Sequence, residues 1–303
     1  MADPPTYDTV SFLSDFGTED EFAGVVRSVI TSLAPQVRVI DLTHGIPAHD
    51  VRAGGLALAR AVQYLVPGVV LAVVDPGVGT DRRAVAVEAP EAGSVFVGPD
   101  NGLLASAVAM AGGGSRAVSL TETSFHLPAP GATFAGRDVF APVAAHLCNG
   151  VPLDELGSEV DPAGLRPGVL PVARTEAAGL VAEVLWVDRF GNLQLNVGPE
   201  EIEAYGDPLL ISFAGTTRSA RRVQAYGEIG PGALGLVVDA YGLVSLCLER
   251  QSAAAELGLG TGASVTLAAA GERSTGDGAG ASSPATPVNL GPTRSAPDGR
   301  GAP

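Results

Sequence analysis

The hydrophobic periodicity of this 303-residue chain changes near residue 170. Before that point, short β-branched runs alternate with helical patterns, which favours crossover units and a mostly parallel sheet covered by helices. After it, short runs are separated by glycine-rich turns, as in a small antiparallel barrel or sandwich. The sequence therefore predicts an α/β fold: an N-terminal α/β domain with a mostly parallel sheet over residues 8–170, and a C-terminal antiparallel β-barrel domain over residues 171–270.

The same runs predict the individual elements. The expected strands of the first domain are residues 9–13, 37–42, 69–74, 84–87 and 95–97, and its expected helices are residues 21–33, 51–64, 102–111 and 137–148. The expected strands of the second domain are residues 179–187, 193–197, 208–213, 233–238, 243–248 and 264–268. Residues 271–303 have hardly any large apolar side chain to offset their chain entropy, so we expect a disordered tail.

Charge and composition exclude several classes of function. The formal net charge of −15 would repel a phosphate backbone, so nucleic acid is not an expected partner. All 18 basic residues are arginine, which excludes a Schiff-base lysine, a Walker-type phosphate lysine and a lysine general base. The histidines, at positions 44, 49, 126 and 146, show no metal-ligand spacing, so no metal site is expected.

Cysteine usage and hydropathy indicate the cellular compartment to expect for this chain. Cys148 and Cys247 lie far apart in apolar surroundings, which favours buried free thiols over a disulfide. The first residues lack the basic-then-apolar order of a signal peptide, and the longest apolar runs, such as residues 69–74, are far shorter than a membrane span. We therefore expect a soluble, cytoplasmic protein with no membrane partner.

Two runs place carboxylates at the ends of predicted strands. In SFLSDFG, Asp15 either binds a ligand, for example a ribose diol, or caps the following helix. In VVDPGVGTDRR, Asp75 ends a buried strand and Arg82 follows across a glycine turn. A buried carboxylate needs a partner, so we expect Asp75 and Arg82 to form one polar unit. That unit either shapes the loop or takes part in catalysis.

Two further runs enter helices. GPDNGLL is a turn rich in Asp and Asn, and its expected role is helix capping by Asp100 or Asn101. TFAGRDVFAP, which begins at Thr133, puts a glycine and an Arg-Asp pair at a helix start, where backbone amides can face a ligand. On its own, this run specifies no chemistry.

The second domain contributes three runs. VDRFGNLQLN carries Asp188 and Asn192, whose acceptor oxygens suit an ammonium group, although a plain Asp-to-Asn hairpin turn explains the pattern as well. AYGEIGPG presents Tyr226 beside glycines, where its ring is able to stack on a base. RQSAAAELGL, which begins at Arg250, has small residues that admit close backbone approach or form a short packed helix.

Taken together and in this order, the seven runs resemble the S-adenosyl-L-methionine hydroxide adenosyltransferase family over residues 9–268. The resemblance implies an N-terminal α/β domain joined to a C-terminal β-barrel. It also implies a homotrimer, with each active site between one subunit's first domain and a neighbour's second. S-adenosyl-L-methionine (SAM) would be the substrate, and no separate cofactor is expected. In the related fluorinases and chlorinases, halide attacks the same carbon of SAM.

Carried over by position, the resemblance assigns contacts to SAM. It implies that Asp15 holds the ribose hydroxyls, that Asp188 and Asn192 hold the methionine amino group, and that Tyr226 stacks on adenine. Two more residues of these runs, Phe190 and Arg250, belong to the same expected substrate-binding set.

Two further positions are compared with the halogenating relatives alone. His49 lies where those relatives have an aromatic residue on the ribose side. Tyr241 lies where the fluorinase uses arginine for the methionine carboxylate. Neither position matches the residue type of these relatives, so these two assignments rest on position only.

The resemblance also implies how water is activated. The family's triad is Asp, Arg and His, and Asp75 and Arg82 match its first two members. The halogenases lack this acid, so water is the expected nucleophile. The histidine is replaced by Ala135, whose methyl group is unable to orient or deprotonate water, and groups with that task typically contribute about 10²–10⁴-fold in rate. We therefore expect an attenuated SAM hydrolase in which water attacks the ribose 5′ carbon, giving adenosine and L-methionine.

Two alternatives remain open at this stage. A halide-using adenosyltransferase shares the fold, but the Asp75 carboxylate would repel the anion. A non-catalytic protein that binds SAM or adenosine is consistent with Ala135. The chemistry tolerates a missing histidine, since the leaving group is a neutral thioether that needs no protonation, and the site's main tasks are alignment and partial desolvation of water.

Overall fold

Two β-sheets organise the chain in the computed structural model, which describes residues 7–270. The first sheet uses strands between Thr9 and Val160, and the second uses strands between Arg174 and Ala269. The predicted domain boundary near residue 170 falls in the segment between them and stays our proposal for where the domains divide. The tail expected to be disordered, residues 271–303, lies outside the described residues.

The first sheet has seven strands in the order β2-β1-β3-β5-β4-β6-β7. Its strands are β1 (Thr9–Ser14), β2 (Arg38–Thr43), β3 (Val69–Val73), β4 (Ala84–Ala89), β5 (Ser94–Pro99), β6 (Arg116–Ser119) and β7 (Ser158–Val160). The four strands β2-β1-β3-β5 pair in parallel, as predicted. The strands β4, β6 and β7 add antiparallel pairings. The short strands β6 and β7 were absent from the sequence-based prediction because neither forms a long apolar run.

Helices cover both faces of this sheet, as the alternating pattern predicted. They are α1 (Phe22–Leu33), α2 (Val51–Ala61), α3 (Ala105–Met110) and α4 (Ala141–Cys148). Side chains of β1 and β3 alternate between the two faces, because successive residues of a strand point in opposite directions. Phe12 and Leu71 pack with α1 and α4 on one face, whereas Leu13 and Val70 pack with α2 and α3 on the other.

The predicted helix over residues 137–148 begins differently from the expectation. Gly136–Phe140 form a π-helical turn, and α4 follows from Ala141. Hydrophobic spacing does not separate one π turn from an α turn, so the apolar pattern held no sign of it. Because π turns are frequent at functional sites, the position of this one beside Ala135 bears on the site described below.

Gly98, in β5, allows the close approach of β3. A Cβ atom at this position would lie 2.3 Å from the backbone oxygen of Ala72, which has no room to move within the sheet. We expect Gly98→Ala to lower the free energy of unfolding by about 1–3 kcal/mol, the range for overpacking. The matched control is Gly24→Ala in α1, where a Cβ meets nothing within 4 Å and should stabilise the helix by about 0.5–1 kcal/mol. Urea denaturation of both variants measures the two shifts, and equal shifts would contradict the packing argument.

The second sheet closes into a barrel of seven strands. The sheet itself has eight strands, of which the first lies outside the ring: β8 (Arg174–Glu176), β9 (Gly179–Val187), β10 (Leu193–Leu195), β11 (Leu209–Phe213), β12 (Thr216–Arg222), β13 (Leu234–Val238), β14 (Val244–Cys247) and β15 (Ser264–Ala269). The order is β10-β14-β13-β12-β11-β15-β9, the β9–β10 pairing closes the ring, and β8 adds to β9 at the edge. The predicted barrel is confirmed. Its core is aliphatic and includes Leu193, Leu195 and Leu246.

One pairing in the barrel departs from the antiparallel expectation. β12 and β13 run parallel, so the chain between them has to cross from one end of the barrel to the other. That crossover, residues 223–233, carries Tyr226 in a short 3₁₀ turn. β12 itself escaped prediction because TTRSARR has no apolar alternation and its side chains are mostly exposed.

Contacts between the two domains are ionic and aromatic. Arg52 of α2 lies 2.6 Å from Glu183 of β9, and the guanidinium of Arg60 lies 5.0 Å from the Trp186 ring and 5.3 Å from the Tyr241 ring. Burial is the main reason that the pKa of Arg60 is lowered. The Arg60 guanidinium therefore packs between two aromatic rings where α2 meets the barrel.

Both cysteines are free and buried, as predicted. Burial raises the pKa of the Cys148 thiol and of the Cys247 thiol to about 12. Thiols are nucleophilic as thiolates, so neither side chain is suited to nucleophilic chemistry at neutral pH. Between residues 7 and 270, no helix combines the length and apolar character needed to cross a membrane.

Candidate active site

A cavity of about 340 Å³ lies at the carboxyl ends of β1 and β3. Its lining comes entirely from the first domain and includes Asp15, Asp20, His49, Asp75, Phe134 and Ala135. Ligands of open α/β sheets bind outside the carboxyl ends of the strands, because loops there present side chains and backbone amides. The cavity thus joins three residues that the sequence placed in the site: Asp15, Asp75 and Ala135.

Asp15 enters the cavity directly after β1. Its backbone N–H donates to Val73 O at 3.3 Å, which extends the pairing with β3, and one carboxylate oxygen accepts the His49 N–H at 2.8 Å. The alternative role as cap of α1 is not seen, because the residue that precedes this helix is Glu21, without a side-chain cap. One Asp15 oxygen is therefore engaged by the loop before α2, and the other has capacity to accept hydroxyl hydrogens.

His49 adopts a left-handed backbone conformation, with φ of 68°. Such a conformation costs a non-glycine residue about 1–3 kcal/mol, and it persists where the surroundings hold it. Here the His49 N–H is fixed by Asp15, and the next residue, Asp50, caps α2 through a 2.8 Å bond from Ala53 N–H. The loop therefore ties the imidazole-bearing residue to the strand-end carboxylate.

Asp75 and Arg82 form the polar unit that the sequence predicted. The Nε–H of Arg82 donates to Asp75 Oδ1 at 3.0 Å, and its Nη2 donates to Oδ2. The side chains are only 5% and 10% exposed for Asp75 and Arg82, respectively. The guanidinium also lies over the Phe140 ring, 5.5 Å from its centre. A buried bidentate pair of this kind fixes the carboxylate rigidly at the cavity wall.

Ala135 immediately precedes the π turn and lines the cavity. An aromatic wall, formed by Phe16, Phe22 and Phe134, stands beside it, with ring centres 5.0–5.9 Å apart. Gly136 allows this wall to form, because a Cβ there would lie 2.9 Å from Phe16 and 3.3 Å from Phe134. The backbone at this glycine therefore lies close to aromatic rings.

Sequence reasoning missed the aromatic wall and Asp20. All four residues line the cavity with Asp15. The signal was available in part, since Phe16, Asp20 and Phe22 lie within seven residues of one another in the loop after β1. That Phe134 joins them depends on the tertiary fold, because it comes from the distant run that begins at Thr133.

A second group of expected site residues lies on the barrel. Asp188 Oδ1 accepts the N–H groups of Phe190 and Asn192 at 2.8 and 2.9 Å, and Asp188 Oδ2 accepts from Asn192 Nδ2 at 2.8 Å. This is the hairpin turn that the sequence offered as an alternative to ligand binding. The turn also leaves the Phe190 side chain 77% exposed, so an aromatic ring projects from a rigid loop.

The other barrel residues lie near this turn. Ala254 N–H donates to Gly191 O at 2.9 Å, which joins the turn to the run that begins at Arg250, itself in a left-handed conformation with φ of 52°. The ring of Tyr226 is 46% exposed. Burial raises the pKa of Tyr226, and the nearby carboxylates of Asp188 and Asp239 add to the effect. Asp188 and Tyr226 therefore belong to one region of the barrel.

The two groups do not meet within one chain. None of the barrel residues lines the cavity around Asp15 in the described part of the chain. Tyr241 instead borders a different cavity of about 480 Å³ between the domains, together with Arg60, Tyr64 and Trp186. Tyr241 is thus packed on an arginine of the first domain.

The remaining polar motifs have structural partners. Asp100 accepts from Arg83 at 2.6 and 2.9 Å and from Arg166 N–H at 2.7 Å, and Asn101 accepts from Leu103 N–H at 3.1 Å. Both residues are structural, but the expected helix capping is wrong, because α3 begins after Leu104 without a side-chain cap. Over residues 7–270, no cluster of three His, Cys, Asp or Glu residues has the geometry of a metal site.

Comparison with known proteins matches both domains of the chain to one family. Residues 10–157 match the model of the SAM hydroxide adenosyltransferase N-terminal domain, and residues 182–266 match the model of its C-terminal domain. An (R)-S-adenosyl-L-methionine hydrolase from Salinispora tropica is 45% identical over 253 residues, which is 84% of this chain and 95% of that protein. One from Thermus thermophilus is 42% identical over 267 residues, 85% of this chain and 98% of that protein.

A more distant sequence relative and two solved structures are also similar to this chain. A fluorinase from Actinoplanes sp. is 26% identical over 221 residues, 65% of this chain and 74% of that protein. The crystal structure of a conserved hypothetical protein from Thermus thermophilus is 40% identical, with a TM-score of 0.66 over 86% of this chain and 99% of that chain. An uncharacterized conserved protein from Thermotoga maritima is 29% identical, with a TM-score of 0.77 at the same coverage.

Proposed function

Because this chain belongs to the SAM hydroxide adenosyltransferase family, we propose that it hydrolyses SAM to adenosine and L-methionine. The observation that carries the proposal is the rigid Asp75–Arg82 pair at the wall of a cavity that also contains Asp15. A ribose held by Asp15 brings its 5′ carbon toward Asp75. Water that donates a hydrogen bond to this carboxylate is then aligned for attack.

The reaction needs alignment more than acid catalysis. The oxygen of water forms a bond to C5′ while the C5′–S bond breaks, and the electron pair goes to sulfur, which leaves as the neutral thioether of methionine. Positioning the nucleophile in line contributes to rate by removing the entropy of a bimolecular encounter. The aromatic wall of Phe16, Phe22 and Phe134 gives the cavity an apolar side that offers water no hydrogen bonds from its rings.

A single-turnover assay tests the function directly. SAM is incubated with excess protein in ¹⁸O-labelled water, and the products are analysed by mass spectrometry. We expect adenosine and L-methionine in equal amounts, with the label in the 5′ hydroxyl of adenosine. Unchanged SAM after prolonged incubation would instead favour the non-catalytic binding protein, which Ala135 keeps as the second candidate.

The halide-using alternative is less well supported. The Asp75 carboxylate presents hydrogen-bond acceptors at the cavity wall, which suit a water that donates hydrogen bonds and offer nothing to a halide. Relatives named as hydrolases are also more similar to this chain than those named as fluorinases, with identities of 45% and 26%, respectively. Addition of chloride or fluoride to the same assay should therefore yield no 5′-halogenated nucleoside.

We place the complete active site between two subunits of a homotrimer. The cavity is lined by Asp15 and Asp75, whose partner is Arg82, whereas Asp188, Phe190, Asn192, Tyr226 and Arg250 lie on the barrel and do not line that cavity. Exposed aromatic side chains, such as Phe190, support burial against a partner. In this arrangement, Asp188 and Asn192 hold the methionine amino group and Tyr226 stacks on adenine.

Complementation tests the shared site. Asp75→Asn disables the first domain and Asp188→Ala disables the barrel, so each variant alone should be inactive. In a mixed trimer assembled from equal amounts of both, about one quarter of the sites should combine two intact halves, because closed cyclic symmetry pairs each first domain with a neighbouring barrel. No recovery of activity, or a monomeric mass by light scattering, would contradict this arrangement.

We further propose a cytoplasmic enzyme that needs no separate cofactor, because SAM itself carries the activated carbon. Free, buried thiols are compatible with a reducing compartment. We also propose that the activity is attenuated, because Ala135 provides no imidazole at the place of the family histidine.

Asp15 should determine affinity for the nucleoside. Replacing it with alanine removes a charged acceptor for the ribose hydroxyls, so we expect Asp15→Ala to weaken adenosine binding by about 1.5–3 kcal/mol. Asp154→Ala is the control, because Asp154 is 70% exposed and pairs with Arg116 at the surface. Calorimetric titration with adenosine measures both variants, and equal affinities for the two would remove Asp15 from the site.

A further inference from the structure

The attacking water must lose a proton, and the cavity offers few groups to accept it. Both oxygens of Asp75 already accept N–H groups from Arg82, so this carboxylate is held for orientation. Ala135 contributes only a methyl group at the cavity wall. The question of which group takes the proton rests on the proposed hydrolysis of SAM.

We propose that His49 is the general base of this protein. Of the chain's four histidines, His49 is the one that lines the cavity with Asp75 and Ala135. His44 is engaged through Nδ1 with Ser14 at 2.8 Å and lies 3.2 Å from Asp41 through Nε2. His146 packs on Phe125, with ring centres 5.0 Å apart, and neither it nor His126 lines the cavity.

The surroundings of His49 suit this role. Its backbone N–H is bound to Asp15, the expected ribose ligand, so the backbone that carries the imidazole is held in place relative to the substrate's sugar. The left-handed backbone is an unusual conformation that the loop maintains. Arg82 is neutralised by its pair with Asp75, so the remaining basic groups of the cavity wall besides Asp15 are the His49 imidazole and the Asp20 carboxylate. Of these two side-chain types, imidazole is the commoner proton acceptor in catalysis.

The charged groups near His49 determine the sign of the pH dependence. Asp15, Asp20 and Asp75 line the same cavity, Asp50 follows in the chain, and Arg82 is paired with Asp75. These carboxylates stabilise the imidazolium that forms when His49 accepts the proton. Only the neutral imidazole accepts a proton, so the rate should rise with pH in a single step.

The step balances without an external reactant. An O–C5′ bond forms, the C5′–S bond breaks with its electron pair on sulfur, and one proton of the attacking water passes to the His49 nitrogen. The imidazolium then releases that proton to solvent after the products leave. No oxidant or reductant is involved.

His49→Phe tests the proposal while retaining a ring at this position. We expect the single-turnover rate to fall at least about tenfold, toward the usual range for a lost general base, and the pH step to disappear. Adenosine affinity should change less than about threefold, since Asp15 binds the backbone of residue 49, which the substitution retains. The matched control is His146→Phe, the same change outside the cavity, whose rate and pH profile should equal those of the natural protein.

A double-mutant cycle with Ala135→His separates catalysis from packing. If His49 is the base, His49→Phe lowers the rate at least about tenfold in the natural background but less than about threefold once position 135 carries an imidazole. If His49 only packs on the ribose, the two backgrounds show the same change, and the proposal fails. Retention of the pH step in His49→Phe would also overturn it. If no variant forms adenosine, the proposed hydrolysis itself fails, which is a distinguishable result.

Discussion

Asp75→Asn should lower the single-turnover rate of adenosine formation by about 10²–10⁴-fold, the range for groups that position or activate a reacting water. The substitution retains one oxygen near Arg82 but removes the negative charge that receives a hydrogen bond from the nucleophile. Asp15 is unaltered, so adenosine affinity should stay within about twofold. Quenched-flow measurement of adenosine, with calorimetry for binding, separates the two quantities.

The chain contains a control for the loss of a buried carboxylate that is paired with an arginine. Asp100 is 4% exposed and binds Arg83, and it lies away from the cavity around Asp15. Asp75→Asn and Asp100→Asn should each lower the free energy of unfolding by about 1–3 kcal/mol, because each leaves a guanidinium with a weaker partner. Only Asp75→Asn should lower the rate. If both variants lose activity in proportion to their stability, Asp75 has a structural role.

Residues predicted from the sequence are those with local signals. Asp15 and Asp75 each follow a buried β-branched run, and the carboxyl ends of parallel strands meet at one edge of a sheet, where ligands bind in open α/β folds. These positions made a ligand role for both residues one of two interpretations, and the resemblance favoured it. The Asp75–Arg82 pair was predictable because a turn of two glycines returns the chain over seven residues. The barrel was similarly predictable from short apolar runs between glycines.

Features that depend on contacts between distant residues were not predicted from the sequence. The hydrogen bond from His49 N–H to Asp15 joins residues 34 positions apart. The backbone of His49 is left-handed, a conformation that a histidine in a sequence does not predict. The π turn at Gly136 has the same apolar spacing as the helix that was predicted there. The parallel pairing of β12 with β13 was hidden because β12 is largely polar and exposed.

The barrel surface shows why a turn pattern did not decide between structure and function. Asp188 makes the hydrogen bonds of a plain Asx turn, yet those bonds hold its carboxylate and the Asn192 amide in a fixed geometry. A side chain that forms its own support is pre-organised for a ligand, which lowers the entropy lost on binding. The two interpretations of this run are therefore compatible.

Ala135→His should raise the rate of adenosine formation at least about tenfold, toward the usual contribution of a general base. The residue lines the cavity with Asp75, so an imidazole there is placed at the nucleophile and not at the groups proposed to bind SAM. Affinity for SAM should consequently change little. The rate should increase with pH as the new imidazole loses its proton, since only the neutral form accepts one.

The glutamine variant, Ala135→Gln, is the matched control for Ala135→His. Its side chain fills similar space and is able to hydrogen-bond water, but it does not take up a proton at neutral pH. A gain with histidine alone indicates proton transfer, whereas equal gains indicate that orientation of the water was limiting. If single-turnover rates of the natural protein and Ala135→His agree within about twofold, the methyl group at this position is not the catalytic deficit. Proton removal by His49 would then already be sufficient.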